Sequence, residues 1–403
     1  MHPGPTRAVA TGHLLFAARA LRDFGDGFAA VLLPAYLLAL GMTPVEVGIL
    51  STMSLLGTAC LTLGAGFLGS GHDRRRLLVG ASGLMIATGL AYASMHAFLP
   101  LFVVAFFGTI NPSAGSASLF VPLEHAVLAD EVESTGRTRA FGTYSLVGTL
   151  AAAVGALFAG VPDLLIRAGL ERTMAIATMF LLYAGLGLLG GHFYLRLPAH
   201  RTEAAERPKS VLGPSRGIVL KLAALFSLDA FAGGFVVQSL LALWLFERFQ
   251  MPLYAAGAFF FWTGLLSAFS YPVAVRLSRR FGLLNTMVFT HIPSSLALIF
   301  AALSPSLPVA LVLLSVRAGL SQMDVPTRSS YVMAVVTPEE RAAAASFTSV
   351  PRSLAAAGSP ALAGVLFAAS YTALPLVLCG VLKIAYDLLL LGQFRALKPP
   401  EEQ

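Results

Sequence analysis

Twelve apolar stretches follow one another through this chain almost without pause, centred near residues 27, 57, 85, 112, 150, 184, 231, 265, 292, 320, 355 and 382. Each is about 20 residues or longer, enough for a helix to cross a hydrocarbon core of roughly 30 Å. In that core every backbone N–H and C=O must be satisfied inside the protein, which leaves helices as the reading for stretches of this length. Composition agrees: 57% of the 403 residues are hydrophobic and only 12% charged, where soluble domains carry about 25% charged residues. The expected fold class is an all-α polytopic membrane protein with twelve transmembrane helices.

Lys and Arg mark which loops stay in the cytoplasm. Arg74, Arg75, Arg76, Arg137, Arg139, Arg276, Arg279, Arg280 and the basic stretch from Arg196 to Lys221 fall on the side that holds both termini. Arg167, Arg172 and Arg248 fall opposite. Both termini are therefore expected in the cytoplasm, and the net charge of +7 reflects this asymmetry rather than a nucleic-acid partner. The basic N-terminus leads directly into a full-length segment without a small-residue cleavage site, so no cleaved signal is expected. Cys60 and Cys379 stand apart in apolar surroundings and offer neither a disulfide framework nor metal spacing.

The one hydrophilic interruption, from Leu197 to Gly217, divides the chain into an N-terminal six-helix half (1–196), a cytoplasmic linker (197–216) and a C-terminal six-helix half (217–403). Internal similarity points to a duplication. Leu150-Ala-Ala-Ala-Val-Gly-Ala-Leu-Phe-Ala-Gly160 matches Leu354-Ala-Ala-Ala-Gly-Ser-Pro-Ala-Leu-Ala-Gly364 at six of eleven positions, a separation of 204. Pro122 and Pro326 pair at the same separation, and Phe28 and Phe235 at 207.

With twelve segments, a hydrophilic midpoint and a half-to-half repeat, the chain resembles the major facilitator superfamily over nearly its whole length. The family's loop between helices two and three typically reads G-x-x-x-D-R-x-G-R-R. Here Gly69-Ser-Gly-His-Asp73-Arg74-Arg75-Arg76-Leu77 keeps the Gly, the Asp and the first Arg, with Arg76 and Leu77 where Gly and Arg are expected. The resemblance implies two pseudo-symmetric halves, a substrate cavity lined by helices one, four, seven and ten, and a cytoplasmic gate latched by Asp73 and Arg74.

A charged side chain at the centre of a membrane costs about 3 kcal/mol or more. Charges inside these segments must therefore face one another, water or a substrate. The first segment carries Arg19, Arg22, Asp23 and Asp26. Arg19 with Asp23, and Arg22 with Asp26, stand four apart and share a helix face. They read either as two ion pairs or as a device in which a proton or substrate competes with Arg22 for Asp26. Asp229 repeats the first-segment frame in the seventh, with Gln238 nine positions on. In the tenth, Arg317, Ser321, Asp324, Arg328 and Tyr331 step by four and three beside Gln322, a polar stripe expected to face a cavity. The fourth offers Asn111 toward a substrate and Glu124 with His125 nearer the cytoplasm, as gate or relay. Arg352 sits within the eleventh. Lys383 and Asp387, four apart, read as a structural pair, and His291 as an interfacial residue near a segment end. Most of the charges inside segments fall on the first, fourth, seventh and tenth, the four that line the cavity in the family resembled.

No G-x-x-x-x-G-K-[ST] loop occurs, so a gradient or an exchange supplies the energy. No nucleophile–base pattern or metal cluster accompanies the charges, and no enzyme activity, cofactor or metal site is expected. The expected function is secondary active transport by alternating access, first as proton-coupled efflux of an organic or drug-like compound. The proline expected beside the helix-five glycines of antiporters is absent from Gly148, Gly155 and Gly160. The alternative, which Arg19, Arg22, Arg317 and Arg328 permit, is uniport, symport or exchange of an anionic metabolite or of a metal or metalloid species. A lipid flippase or a non-transporting sensor is the reading from a different class. The expected partners are a small-molecule substrate, protons and the lipid bilayer, with no nucleic acid, for a monomer in the bacterial inner membrane.

Overall fold

A computed structural model describes residues 5–68, 73–114, 118–131, 137–198, 212–337, 340–395 and 397. Gly69 of the loop motif and most of the 197–216 linker lie outside the described residues. The first half contains α1 (Pro5–Ala39), α2 (Pro44–Leu68), α3 (Arg74–Ser94), α4 (Phe98–Phe107), α5 (Phe120–Glu131), α6 (Arg137–Phe158), α7 (Val161–Arg167) and α8 (Arg172–Leu195). The second contains α9 (Arg216–Gly234), α10 (Gln238–Phe249), α11 (Leu253–Phe281), α12 (Leu283–Leu303), α13 (Leu307–Ser321), α14 (Asp324–Ala334), α15 (Arg341–Ala356), α16 (Pro360–Ala368) and α17 (Leu374–Phe394).

These segments form twelve rods, because α4–α5, α6–α7, α9–α10, α13–α14 and α15–α16 are each one rod with a break. Proline positions most of the breaks. Pro122, Pro162, Pro326 and Pro360 all stand within the first turn of the segment after a break. There the missing N–H has no helical partner to lose. Nine of the rods, among the described residues, are long and apolar enough to cross a membrane by length and composition. The three left out are α1 with its four charges, the split α4–α5, and α15–α16 with Arg352 and several serines.

Within the first half α1 packs on α6 and α8, and α3 on α8; within the second, α9 packs on α15, and α12 on α13 and α17. The halves meet through α2 with α16, α6 with α11 and α1 with α10. Their hydrogen bonds lie in the half of the molecule remote from the termini. Ser239 N donates to Pro112 O at 3.0 Å, Ala361 N to Thr52 Oγ1 at 3.0 Å, and Tyr254 N to Asp163 Oδ2 at 2.9 Å. Glycine makes the α2–α16 contact possible, since a Cβ on Gly48 would stand 2.6 Å from Pro360 O. Among the described residues these bonds tie the two halves together. Toward the end that bears the termini Glu340 straps the second half, accepting from Ser215 N at 3.1 Å and from Gly213 N ahead of α9.

Candidate functional site

In the first half the charges of α1 are enclosed in a packet made with α5, α6 and α8. Arg19 Nε lies 2.7 Å from Asp23 Oδ2, and Arg22 Nε lies 3.4 Å from Asp23 Oδ1. Arg22 Nη1 donates to Glu124 Oε2 at 2.8 Å, tying α1 to α5. Glu124 also accepts from Tyr194 of α8 at 2.6 Å and from Tyr144 of α6. The rings of Tyr144 and Phe120 cover Arg19 and Arg22, each with its centroid 4.7 Å from the guanidinium carbon. Gly148 lets α6 come this close, because a Cβ there would collide with the Arg19–Asp23 pair.

Glu124 is 0% exposed and Arg22 3%, so pairing has to be near complete. Stripping one partner from a buried ion pair costs about 3–5 kcal/mol. Two guanidiniums nevertheless face three carboxylates here. Asp26 is the surplus acid, with no guanidinium within ion-pair distance among the described residues. Its Oδ1 instead accepts from Tyr183 at 3.0 Å, and the Tyr183 hydroxyl stands 3.0 Å from Thr109 Oγ1.

The second half arranges its charges around a cavity of about 180 Å³. Asp229 of α9 holds its centre, 2.5 Å from Lys383 Nζ of α17 and 3.2 Å from Arg328 Nη2 of α14. Arg328 pairs with Asp324 as well, and its guanidinium lies 5.3 Å from the Phe226 ring centroid. His291 of α12 places Nδ1 3.0 Å from Asp387 Oδ2 and Nε2 3.4 Å from Lys383 Nζ. Arg317 of α13 and Arg352 of α15 also line the cavity. Neither makes an ion pair or a side-chain hydrogen bond among the described residues, and Arg352 is exposed. The lining thus sets four bases (Arg317, Arg328, Arg352, Lys383) against two carboxylates (Asp229, Asp324), with His291 matched by Asp387 behind it.

The candidates from the sequence divide between these places. Asp229, Arg317, Gln322, Asp324, Arg328 and Arg352 come together in the second-half cavity, and Ser321 of the stripe joins them. Arg19, Arg22, Asp23 and Glu124 form the first-half cluster, with Asp26 at its edge. Tyr331 lies outside the cavity lining, although Asp324 and Arg328 of the same helix belong to it; it is buried and its hydroxyl donates to Leu397 O at 3.2 Å. Asn111 is buried in the α4–α5 break and accepts from Ser113 N at 2.7 Å, which folds the turn. Gln238 opens α10, half-buried, outside the cavity lining. Asp73 caps α3 by accepting from Arg75 N at 3.0 Å, whereas Arg74 reaches Asp130 of α5 at 2.5 Å. Both act inside the first half.

Three readings of the sequence need correction. Arg22 turns to Asp23 and Glu124 rather than to Asp26, because α5 and α6 bring stronger partners to it than its own helix does. Lys383 and Asp387 do not pair; the first reaches across to Asp229 and the second to His291. His291 is not interfacial but 2% exposed, near the middle of α12. Lys383, His291 and Asp387 thus join the candidate residues, and so do Tyr144, Tyr183 and Tyr194. For the first three a signal existed: an ionisable group inside a membrane helix is a functional candidate by default. The tyrosines carry no such mark in sequence.

The sequence profile of the Major Facilitator Superfamily matches residues 15–292. An uncharacterized membrane protein of Saccharomyces cerevisiae, YJR124C, is 26% identical over 417 residues, covering 94% of this chain and 93% of its own. A bacterial homolog of the human lysosomal transporter Spinster, crystallised inward-facing and occupied, superposes with a TM-score of 0.73 at 17% identity, covering 98% of this chain and 99% of that one. The human organic anion transporter MFSD10 superposes with a TM-score of 0.65 at 18% identity, covering 96% and 100%.

Proposed function

The chain belongs to the major facilitator superfamily of membrane transporters, and from that premise we propose that it moves a small organic anion by alternating access, coupled to protons through Asp26. The observation that carries this reading is the excess of bases over carboxylates around the second-half cavity. In a medium of low dielectric such an excess is stabilised by an anion and opposed by a cation. A drug-like compound is the poorer fit, since pockets for such ligands run to about 300–1,000 Å³ and are mostly apolar, whereas this cavity holds about 180 Å³ between charged walls.

In this scheme the halves 1–196 and 217–403 rock against each other across the 197–216 linker, with the terminus-bearing end in the cytoplasm. An anion entering there meets exposed Arg352 first, then Arg317. Deeper in, it competes with Asp229 and Asp324 for Arg328 and Lys383. That exchange of partners differs between empty and loaded carrier, which a ligand needs if it is to shift the balance of open and closed states. Asp26 supplies the coupling, because a proton on the carboxylate of this cluster that has no guanidinium among the described residues brings the cluster to electrical balance.

A thermal-shift screen of purified protein against organic anions, organic cations, and metal or metalloid species tests the substrate class. Organic anions are expected to raise the unfolding temperature. A response confined to cations, or to metal or metalloid species, would overturn the reading.

A further inference from the structure

We infer that the second-half cavity selects a dianion, a small organic molecule with two full negative charges, over monoanions of the same shape. This rests on the anion reading above and narrows it. Four bases and two carboxylates leave the lining two positive charges in excess, with His291 and Asp387 matched to each other. A monoanion would leave one of these uncompensated as the halves close over it, and an isolated charge away from water is strongly unfavourable. A dianion closes the balance.

The guanidiniums on the lining point the same way. Arg328 is 8% exposed, and its Nη2 serves both Asp229 and Asp324. Arg317 and Arg352 add two guanidiniums, from α13 and α15, that form no ion pair among the described residues. Guanidiniums bind carboxylate and phosphate oxygens in bidentate fashion. The space of about 180 Å³ equals that of roughly six water molecules at about 30 Å³ each, which suits a four-carbon dicarboxylate or a small phosphomonoester.

Calorimetric binding to the purified full-length protein at about pH 8, where a phosphomonoester has lost its second proton of pKa near 6, separates the cases. Succinate, succinamate and succinamide share one skeleton with two, one and no charges; glycerol 3-phosphate and glycerol form the phosphate arm. Succinate or glycerol 3-phosphate is expected to bind at least about tenfold more tightly than succinamate, and the tighter of the two identifies the acid group. Arg352→Gln, checked for unchanged thermal unfolding, is expected to cut that ratio to about threefold or less. Succinamate binding as tightly as both dianions would overturn the dianion inference and leave the anion reading standing. Failure of succinate, succinamate and glycerol 3-phosphate alike to bind would remove both.

Discussion

Glu124 in the first half accepts from Arg22, Tyr144 and Tyr194 with no exposed surface, whereas Arg317 and Arg352 in the second half face a cavity and form no ion pair among the described residues. Both regions place charge deep in the membrane, but among the described residues only in the first does every guanidinium pair with a carboxylate. A cluster that satisfies itself holds a half together; a cluster left in surplus waits for a ligand. Mutations in the two regions should therefore fail in different ways.

The largest expected effect is Glu124→Gln, which leaves buried Arg22 with one carboxylate fewer. A loss of about 3–5 kcal/mol is expected, visible as collapse of folded yield and of thermal stability. Wild-type unfolding in that variant would mean that the first-half cluster is not structural. Arg317→Gln should show the opposite pattern: transport lowered at least about tenfold with stability changed by no more than about 0.5 kcal/mol. Equal loss of both would erase the distinction between the regions.

Asp26→Asn tests the acid of the first-half cluster that, among the described residues, stands outside the ion pairs. The amide can still accept from Tyr183, so the protein should fold and reach the membrane, while uphill transport driven by a proton gradient is abolished and anion counterflow persists. Normal gradient-driven transport would remove Asp26 from the mechanism.

The smallest effect lies outside the membrane-spanning helices. Hydrogen bonding by the Ser215 side chain foremost, then by the backbone of Gly213 and Ser215 and by Thr337, holds the Glu340 carboxyl below its ordinary range. A carboxyl depressed on folding adds stability above its unfolded value, near 4.3, and loses it as pH falls through the folded value. Wild type should therefore unfold at a higher temperature than Glu340→Gln at pH 7, and the difference should shrink below about pH 4. A difference that grows on acidification would reverse the assignment.

Much of the fold was legible in the apolar stretches, because a membrane admits few answers to a run of that length. The breaks were half-legible through Pro122 and Pro326, whose spacing marked matching points of the two halves. Candidate residues were legible as a set but not as pairs. Spacing along one helix put Arg22 beside Asp26, yet the packing of α1 on α5, α6 and α8 decided its partners. Likewise Lys383 and Asp387 share a helix but answer to α9 and α12. A helix face is written in sequence; what packs on that face is not.

The unmatched bases also make the carrier an electrical object. One elementary charge moved across a membrane is worth about 2.3 kcal/mol per 100 mV, so a cavity carrying two through the full field would couple to voltage by up to about 5 kcal/mol at that potential. Loaded with a dianion it would cross silently, and the return of the empty carrier would be the stroke that voltage drives. Pre-steady-state currents on a supported membrane would register that charge, halved in Arg352→Gln. An inside-negative potential would then hold the empty carrier open toward the cytoplasm, so that the membrane's own field returns the site to the side from which it loads.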